Sequence, residues 1–294
     1  MPATTRWCVA FQGERGAFSE EAVTRLWPEA EPVPMRENLD VARAVEGGVV
    51  DAGVLPVENT LAGSVAATYD AIAACPGLVA TGEVVLGIHH CVLGIRGATL
   101  AGVRRVESHP VALAQCGEFL RRHPEIEARA AYDTAGAARA VAAAGDATRA
   151  AIAGRAAAAH YGLAILAADV EDRPDNQTRF VALARAAASP PPGVPARTIL
   201  LLETANSPGS LHRALGPIAE RGLNLSKIES RPTGEPWRYR FTLEVEHAAG
   251  DPALAAAVES IRAVARACRV VGTYALDAAR LMAESREPRA EPRV

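Results

Sequence analysis

Residues 185–196 read RAAASPPPGVPA, and this run of three prolines with a fourth close behind divides the chain. Proline fixes φ and lacks an N–H donor, so neither a helix interior nor a central strand accepts the run. It predicts a stiff, extended spacer. Residues 1–184 form one part before it, and residues 197–278 a second part after it. The tail 279–294 is rich in proline and charge and is expected to be disordered. A length of 294 residues, about twice the usual single-domain size, agrees with such a division.

Composition removes several classes of function. Hydrophobic residues at 49% and charged residues at 22% suit a globular chain with a real core, not a disordered one. A net charge of −3 gives no reason to expect nucleic acid or an anionic membrane as partner. All of the 31 basic residues are arginine except Lys227. The first two hundred residues therefore hold no Schiff-base, pyridoxal or Walker lysine. Five scattered cysteines without a C-x-x-C pair speak against a zinc ribbon, an iron–sulfur site or a disulfide framework, and predict a reducing, cytoplasmic setting. The apolar run Trp7–Phe11 is too short for a signal segment. Arg139, Asp146, Arg149, Arg155 and His160 interrupt the alanine-rich stretch 135–168, so no membrane span is expected.

The first part alternates strand-like and helix-like segments. Strands are expected at Trp7–Phe11, Ala52–Pro56, Val84–Leu93, Val103–Ser108, Ala128–Tyr132 and Ala150–Ile152. Helices are expected from Ser19, as N-cap, to Leu26, from Ser64, and from Pro110 to His123, with another in the alanine-rich stretch. Such alternation predicts α/β layers on mostly parallel strands, with ligands beyond the strands' carboxyl ends. The second part reads strand (Thr198–Glu203), helix (Ser207 to near Gly222), strand (Asn224–Ser230), strand (Trp237–Val245), helix (Ala253–Ala267), strand (Arg269–Leu276). That βαββαβ order is the ferredoxin-like, α+β arrangement.

Several strand-end segments carry polar residues. The loop Gln12–Ser19 holds Gly13 and Gly16 before a helix start and could cradle an anion with free N–H groups, although ordinary turn glycines explain it as well. Glu58, Asn59, Thr60, Gly63 and Ser64 crowd donors and acceptors after a buried strand. Ser108 and His109 lie between a strand and a helix N-terminus. His89 and His90, beside Cys91, are adjacent on a strand and so point to opposite faces, which argues against a metal site. If Asp175–Phe180 leads into a strand, Asn176, Thr178 and Phe180 share one face while Gln177 and Arg179 share the other.

In order, FQGERGAFSEEA, GVLPVENTLAGSV, SHPVALAQC, YDTAGAA, AAIAGRAAAAHYGL and DNQTRF closely resemble the prephenate dehydratase family. NSPGSLHRAL and NLSKIESRP resemble that family's C-terminal ACT regulatory domain. The resemblance covers residues 7 to about 278. It implies that residues 1–184 form a catalytic domain of two α/β lobes like a periplasmic binding protein, with the active site in the cleft between them. The chain would cross between lobes near 82–94 and again near Glu171–Asn176. Residues 185–196 would be the linker and 197–278 the ACT domain.

The resemblance also implies the chemistry: decarboxylating dehydration of prephenate to phenylpyruvate, a carbon–oxygen lyase step in phenylalanine biosynthesis. No cofactor and no metal are implied. The reaction needs anion recognition, orientation and a hydrogen bond to the departing hydroxyl. Thr178 would be the catalytic residue, a directed hydrogen-bond donor rather than an acid. Gly13, Gly16, Ser19, Glu58, Asn59, Thr60, Gly63, Ser64, Ser108, His109, Asn176, Arg179 and Phe180 would bind substrate. Arg179 reaches a substrate carboxylate only if the strand twists; otherwise it braces the cleft. Phenylalanine, the implied effector, would meet Gly209, Ser210, Leu211 and His212, together with Asn224, Leu225, Glu229, Ser230 and Arg231. Ser210 stands where the family usually has alanine. A homodimer or homotetramer is implied. The alternatives are an arogenate dehydratase, a prephenate decarboxylase, which the presence of Thr178 opposes, and a non-catalytic amino-acid sensor.

Overall fold

The computed structural model describes residues 7–186 and 189–277. Residues 187 and 188 of the expected linker, residue 278 and the tail 279–294 lie outside that range. Compactness divides the chain into two units, residues 1–65 with 86–180, and residues 66–85 with 181–294. Among the described residues no helix is long and apolar enough to cross a membrane.

The chain begins β1 (Cys8–Gln12), α1 (Phe18–Leu26), β2 (Glu31–Met35), α2 (Asn38–Glu46), β3 (Ala52–Asn59) and the two-residue β4 (Gly63–Ser64). Next come α3 (Ala66–Ala74), β5 (Val79–Gly87), β6 (Cys91–Gly94), β7 (Arg105–Ser108), α4 (Pro110–Gln115) and α5 (Gly117–Arg122). Then follow β8 (Glu127–Ala130), α6 (Thr134–Ala144), β9 (Arg149–Ala153), α7 (Arg155–Tyr161), β10 (Ala164–Ala167) and β11 (Gln177–Ala184). The last six are β12 (Pro195–Glu203), α8 (Ser210–Ala219), β13 (Asn224–Pro232), β14 (Tyr239–Ala248), α9 (Pro252–Val264) and β15 (Ala267–Ala275).

The first lobe is built on a sheet of order β2-β1-β3-β11-β5, with β4 paired to β3. Val9, Ala10 and Phe11 of β1 are fully buried, and β1 runs parallel to both β2 and β3. A continuous apolar run is what a strand covered on both faces requires. The second lobe has the order β10-β6-β9-β7-β8, with β7 parallel to β8 and β9 and β6 antiparallel to β9. Its core gathers Val92, Val106, Phe119, Ile126 and Ile152. The α/β, two-lobed form matches the expectation.

The expected strand Val84–Leu93 is broken into β5 and β6. Residues 88–90 spend their backbone groups on the returning crossover instead of a strand partner. Ile88 N–H donates to Asn176 O at 2.8 Å, and His90 O accepts from Val170 N–H at 2.9 Å. His90 N–H donates to Glu171 Oε2 at 2.9 Å. The expected helix Pro110–His123 also breaks, at Cys116, where Asp172 Oδ1 takes the Glu118 N–H at 2.8 Å. Ser64 does not begin a helix; it pairs with Glu58 in β4, and α3 starts at Ala66. Capping signals succeed elsewhere. Asp133 accepts from Gly136 N–H at the start of α6, and Gly145 ends that helix with φ of 61°.

The second unit contains the βαββαβ domain, a sheet of order β13-β14-β12-β15. Leu200, Leu202 and Leu243 of the sheet pack with Ala214 and Ile218 of α8 and Val258 and Ile261 of α9. Pro195 opens β12, a place where a strand accepts proline. Within the same unit α3 and the start of β5 are tied to the sheet by polar groups. Buried Arg197 pairs with Glu83, with Glu246 at 2.6 Å and with Glu244 at 3.4 Å. Tyr69 donates to Glu244 at 2.8 Å, and Arg269 donates to Ile72 O and Pro76 O near the end of α3. A Cβ on Gly272 would collide with the Ala80 backbone, so only glycine permits this approach.

Candidate active site

Strands β3 and β11 present alternate residues to opposite faces, and this alternation builds the site. Glu58 and Arg179 meet on one face, Arg179 Nη2 to Glu58 Oε2 at 3.0 Å, with Arg179 almost wholly buried. Arg179 thus braces the strands in this structure. On the other side, the two N–H groups of the Asn59 amide are shared among Asn176 Oδ1 at 2.7 Å, Thr178 Oγ1 at 2.9 Å and Gln177 O at 3.0 Å. Asn59 Oδ1 in turn accepts from the Leu61 and Ala62 N–H groups at 3.0 and 2.8 Å. Asn176 is fully buried, and its Nδ2 has no partner among the described residues. Thr178 is half-buried. Because Thr178 Oγ1 accepts from Asn59, its own O–H remains free to donate.

Gln115, the last residue of α4, joins the cluster by donating Nε2 to Asn59 Oδ1 at 3.3 Å. Gln115 lies inside SHPVALAQC but was not among the residues expected at the site. Its signal there was a lone amide ending an otherwise apolar helical run.

Other expected site residues have structural partners. Ser19 is not a cap. Ala17 occupies that position, and the Glu20 carboxylate takes the Gly16 N–H at 2.5 Å while pairing with Arg15 at 3.0 Å. The N–H groups of both loop glycines have acceptors within the protein, that of Gly13 being Met35 O at 2.8 Å. These glycines serve close packing. With φ of 82°, Gly16 lies where a Cβ would come within 2.6 Å of Ala157 Cα. Buried Ser108 donates to Ile152 O at 2.6 Å, and His109 caps α4. Thr60 ties β3 to β11, receiving the Gln177 N–H at 3.0 Å. Gly63 and Ser64 are exposed in β4, and Phe180 is core.

Beside the glycine loop lies a cavity of about 600 Å³ lined by Gly13, Glu14, Met35, Arg36, Tyr132 and Arg139, among others. Tyr132 donates to Glu14 Oε1 at 2.6 Å, and Arg139 pairs with the same carboxylate at 3.2 Å. Burial and the bond to Glu14 push the Tyr132 phenol up to about 12. Burial also raises the Asp133 carboxyl above its usual range, against the two backbone N–H groups it accepts. At the crossover, His89, Asp169 and Glu171 offer ligand atoms within 4.8 Å of one another. Those groups are already engaged, Asp169 by both contacts of Arg155 and Glu171 by His89 at 2.7 Å.

In the second unit, Gly209 begins α8 with φ of 78°, and Ser210 is turned to Ser207 at 2.6 Å and to Arg213 at 3.4 Å. Leu211 is half-buried and His212 exposed. Along β13, Asn224 donates to Glu246 at 3.0 Å, Leu225 pairs with Val245, Glu229 lies 3.9 Å from Lys227, and Ser230 is exposed. Arg231 holds both oxygens of Asp70 at 3.1 and 2.6 Å.

Two α/β lobes carrying a cluster of neutral donors, followed by a ferredoxin-like domain, place the chain among two-lobed enzymes with an appended regulatory module. A family model described as prephenate dehydratase matches residues 9–188, and one described as ACT domain matches residues 198–263. The chain belongs to the prephenate dehydratase family and carries an ACT domain. Arogenate dehydratase/prephenate dehydratase 2 of Arabidopsis thaliana is 39% identical over 279 residues, covering 92% of this chain and 73% of that protein. The bifunctional N-acyl-homoserine lactone acylase/prephenate dehydratase of Komagataeibacter europaeus is 36% identical, covering 90% of this chain and 95% of its own length. The crystal structure of prephenate dehydratase from Arthrobacter aurescens in complex with L-Phe matches with a TM-score of 0.85 at 32% identity, over 91% of this chain and 90% of that one.

Proposed function

We propose that this chain is a prephenate dehydratase of phenylalanine biosynthesis, regulated by phenylalanine at its ACT domain. In the reaction the ring carboxylate leaves as CO₂, its bonding electrons enter the ring, and the ring C–O bond breaks. The hydroxyl departs with that pair and takes up a proton as water. Aromatisation drives the step, so the protein's task is to orient the dianion and to meet the charge growing on the leaving oxygen. Thr178 fits that task. The observation that carries the reading is the direction of the Asn59–Thr178 hydrogen bond, which leaves the threonine O–H to donate. Gln115 and Asn176 supply further amide donors beside it.

Arogenate differs by an ammonium group in place of the keto oxygen, and the Arabidopsis relative bears both names. Incubating the purified protein with each substrate and identifying the product decides between them. Phenylpyruvate formed from prephenate supports the proposal; phenylalanine formed from arogenate alone would replace it with the arogenate reading. We place the enzyme in the cytoplasm as a homo-oligomer. The five free cysteines suit a reducing compartment.

A further inference from the structure

The two histidines of the first crossover differ in surroundings. His89 is half-exposed and paired with Glu171, whereas His90 is 2% exposed. We propose that His90 is a positioning residue that holds the Gln115 amide in the orientation presenting its N–H groups, not its oxygen, to the reacting substrate. The proposal rests on the dehydratase reading and extends it by one residue.

Several of the neighbouring groups have a polarity that cannot be reversed. Backbone N–H groups only donate, so the Asn59 atom facing Leu61 and Ala62 is oxygen. The Gln177 carbonyl only accepts, so the Asn59 atom facing it is nitrogen. The Gln115 atom lying 3.3 Å from the Asn59 oxygen must then be a donor, which makes it Nε2. Gln115 Oε1 is therefore the atom 3.1 Å from His90 Nε2, and that ring nitrogen must carry a proton. His90 Nδ1 is buried with no partner among the described residues. A bare lone pair there costs less than an N–H or an imidazolium with nothing to meet. The outcome is the neutral Nε2–H tautomer.

Around His90 the charged and titratable neighbours are few. Glu171 takes its backbone N–H, His89 adjoins it, and Phe18 lies edge-on with ring centroids 5.7 Å apart. Burial holds the imidazole below its ordinary range, against the raising influence of Gln115 and Glu171. One Gln115 N–H is spent on Asn59. The other has no acceptor among the described residues, so the His90 bond determines what Gln115 offers to the substrate. A flipped amide would set its oxygen against both Asn59 Oδ1 and a dianion.

The test combines a spectrum with a double-mutant cycle on the full chain. Long-range ¹H–¹⁵N correlation of histidine-labelled wild type should show His90 as the neutral Nε2–H tautomer at about pH 7. This readout needs no variant. His90→Phe should lower kcat about tenfold with KM held within about threefold, and Gln115→Ala should lower it by about 10². The double variant should be no slower than Gln115→Ala alone, because the histidine acts through the amide. An Nδ1–H or charged His90 in an active enzyme, or losses that multiply, would overturn the relay. A wild type inert toward both prephenate and arogenate would instead overturn the dehydratase reading, and the positioning role of His90 with it.

Discussion

Two of the polar clusters among the described residues are built on opposite plans. The cluster at Asn59, Gln115, Asn176 and Thr178 contains no formal charge and leaves donors uncommitted. The cluster at Arg197, Glu83, Glu244 and Glu246 is formally charged throughout, and its guanidinium reaches all three carboxylates with no exposed surface of its own. A site that must receive a dianion gains from neutral donors aimed outward and loses from fixed carboxylates. A tie between elements gains from a closed set, since a buried charge left without its partner is costly. On the proposed reading, the difference separates a surface that meets a ligand from a joint that holds elements together.

Breaking the joint gives the largest expected effect. Arg197→Leu removes the buried guanidinium that pairs with Glu83, Glu244 and Glu246, and should cost about 3–5 kcal/mol of stability. A drop in the urea midpoint checks this, and a midpoint unchanged from wild type would mean the carboxylates find other partners. Asn59→Ala strikes the neutral cluster instead. It removes the donor that directs Thr178, and kcat should fall by about 10²-fold, equivalent to about 2.7 kcal/mol. Its stability loss should be the smaller of the two, about 1–3 kcal/mol from the turn amides it leaves unpaired. Steady-state kinetics beside denaturant melts separate these readings.

The smallest effect concerns pH and sharpens the comparison at Asp133, a single half-buried carboxylate. Burial raises its folded pKa above the unfolded value, so the folded state holds the proton more tightly. Wild-type stability therefore carries a contribution that is full below the usual aspartate range and is lost as pH rises through the folded pKa. Asp133→Asn keeps an oxygen for the Gly136 N–H and lacks that loss. The variant should gain on wild type between pH 4 and pH 7 in urea melts. A gap independent of pH would show that Asp133 does not titrate differently in the two states.

Local chemistry was the readable part of the sequence. The βαββαβ order followed from alternation in β14 and the amphipathic α9, and the strand carrying Thr178 from the apolar run after Arg179. Ser19 misled because a neighbouring side chain, Glu20, took the amide that a serine cap would have served. The break inside residues 84–93 was hidden because Ile88 and His90 bond to residues eighty or more positions away. Gln115 and Arg197 were missed for the same reason. Their partners lie at separations of 56 and 114 residues, and no local period announces them.

The most direct test of the account is the rate of phenylpyruvate formation from prephenate by wild type and by Thr178→Ala, with prephenate affinity measured alongside. The account predicts a loss in kcat of at least about 10²-fold with affinity within about threefold, because the directed O–H is removed while carboxylate recognition stays. Turnover by Thr178→Ala within about threefold of wild type would contradict it.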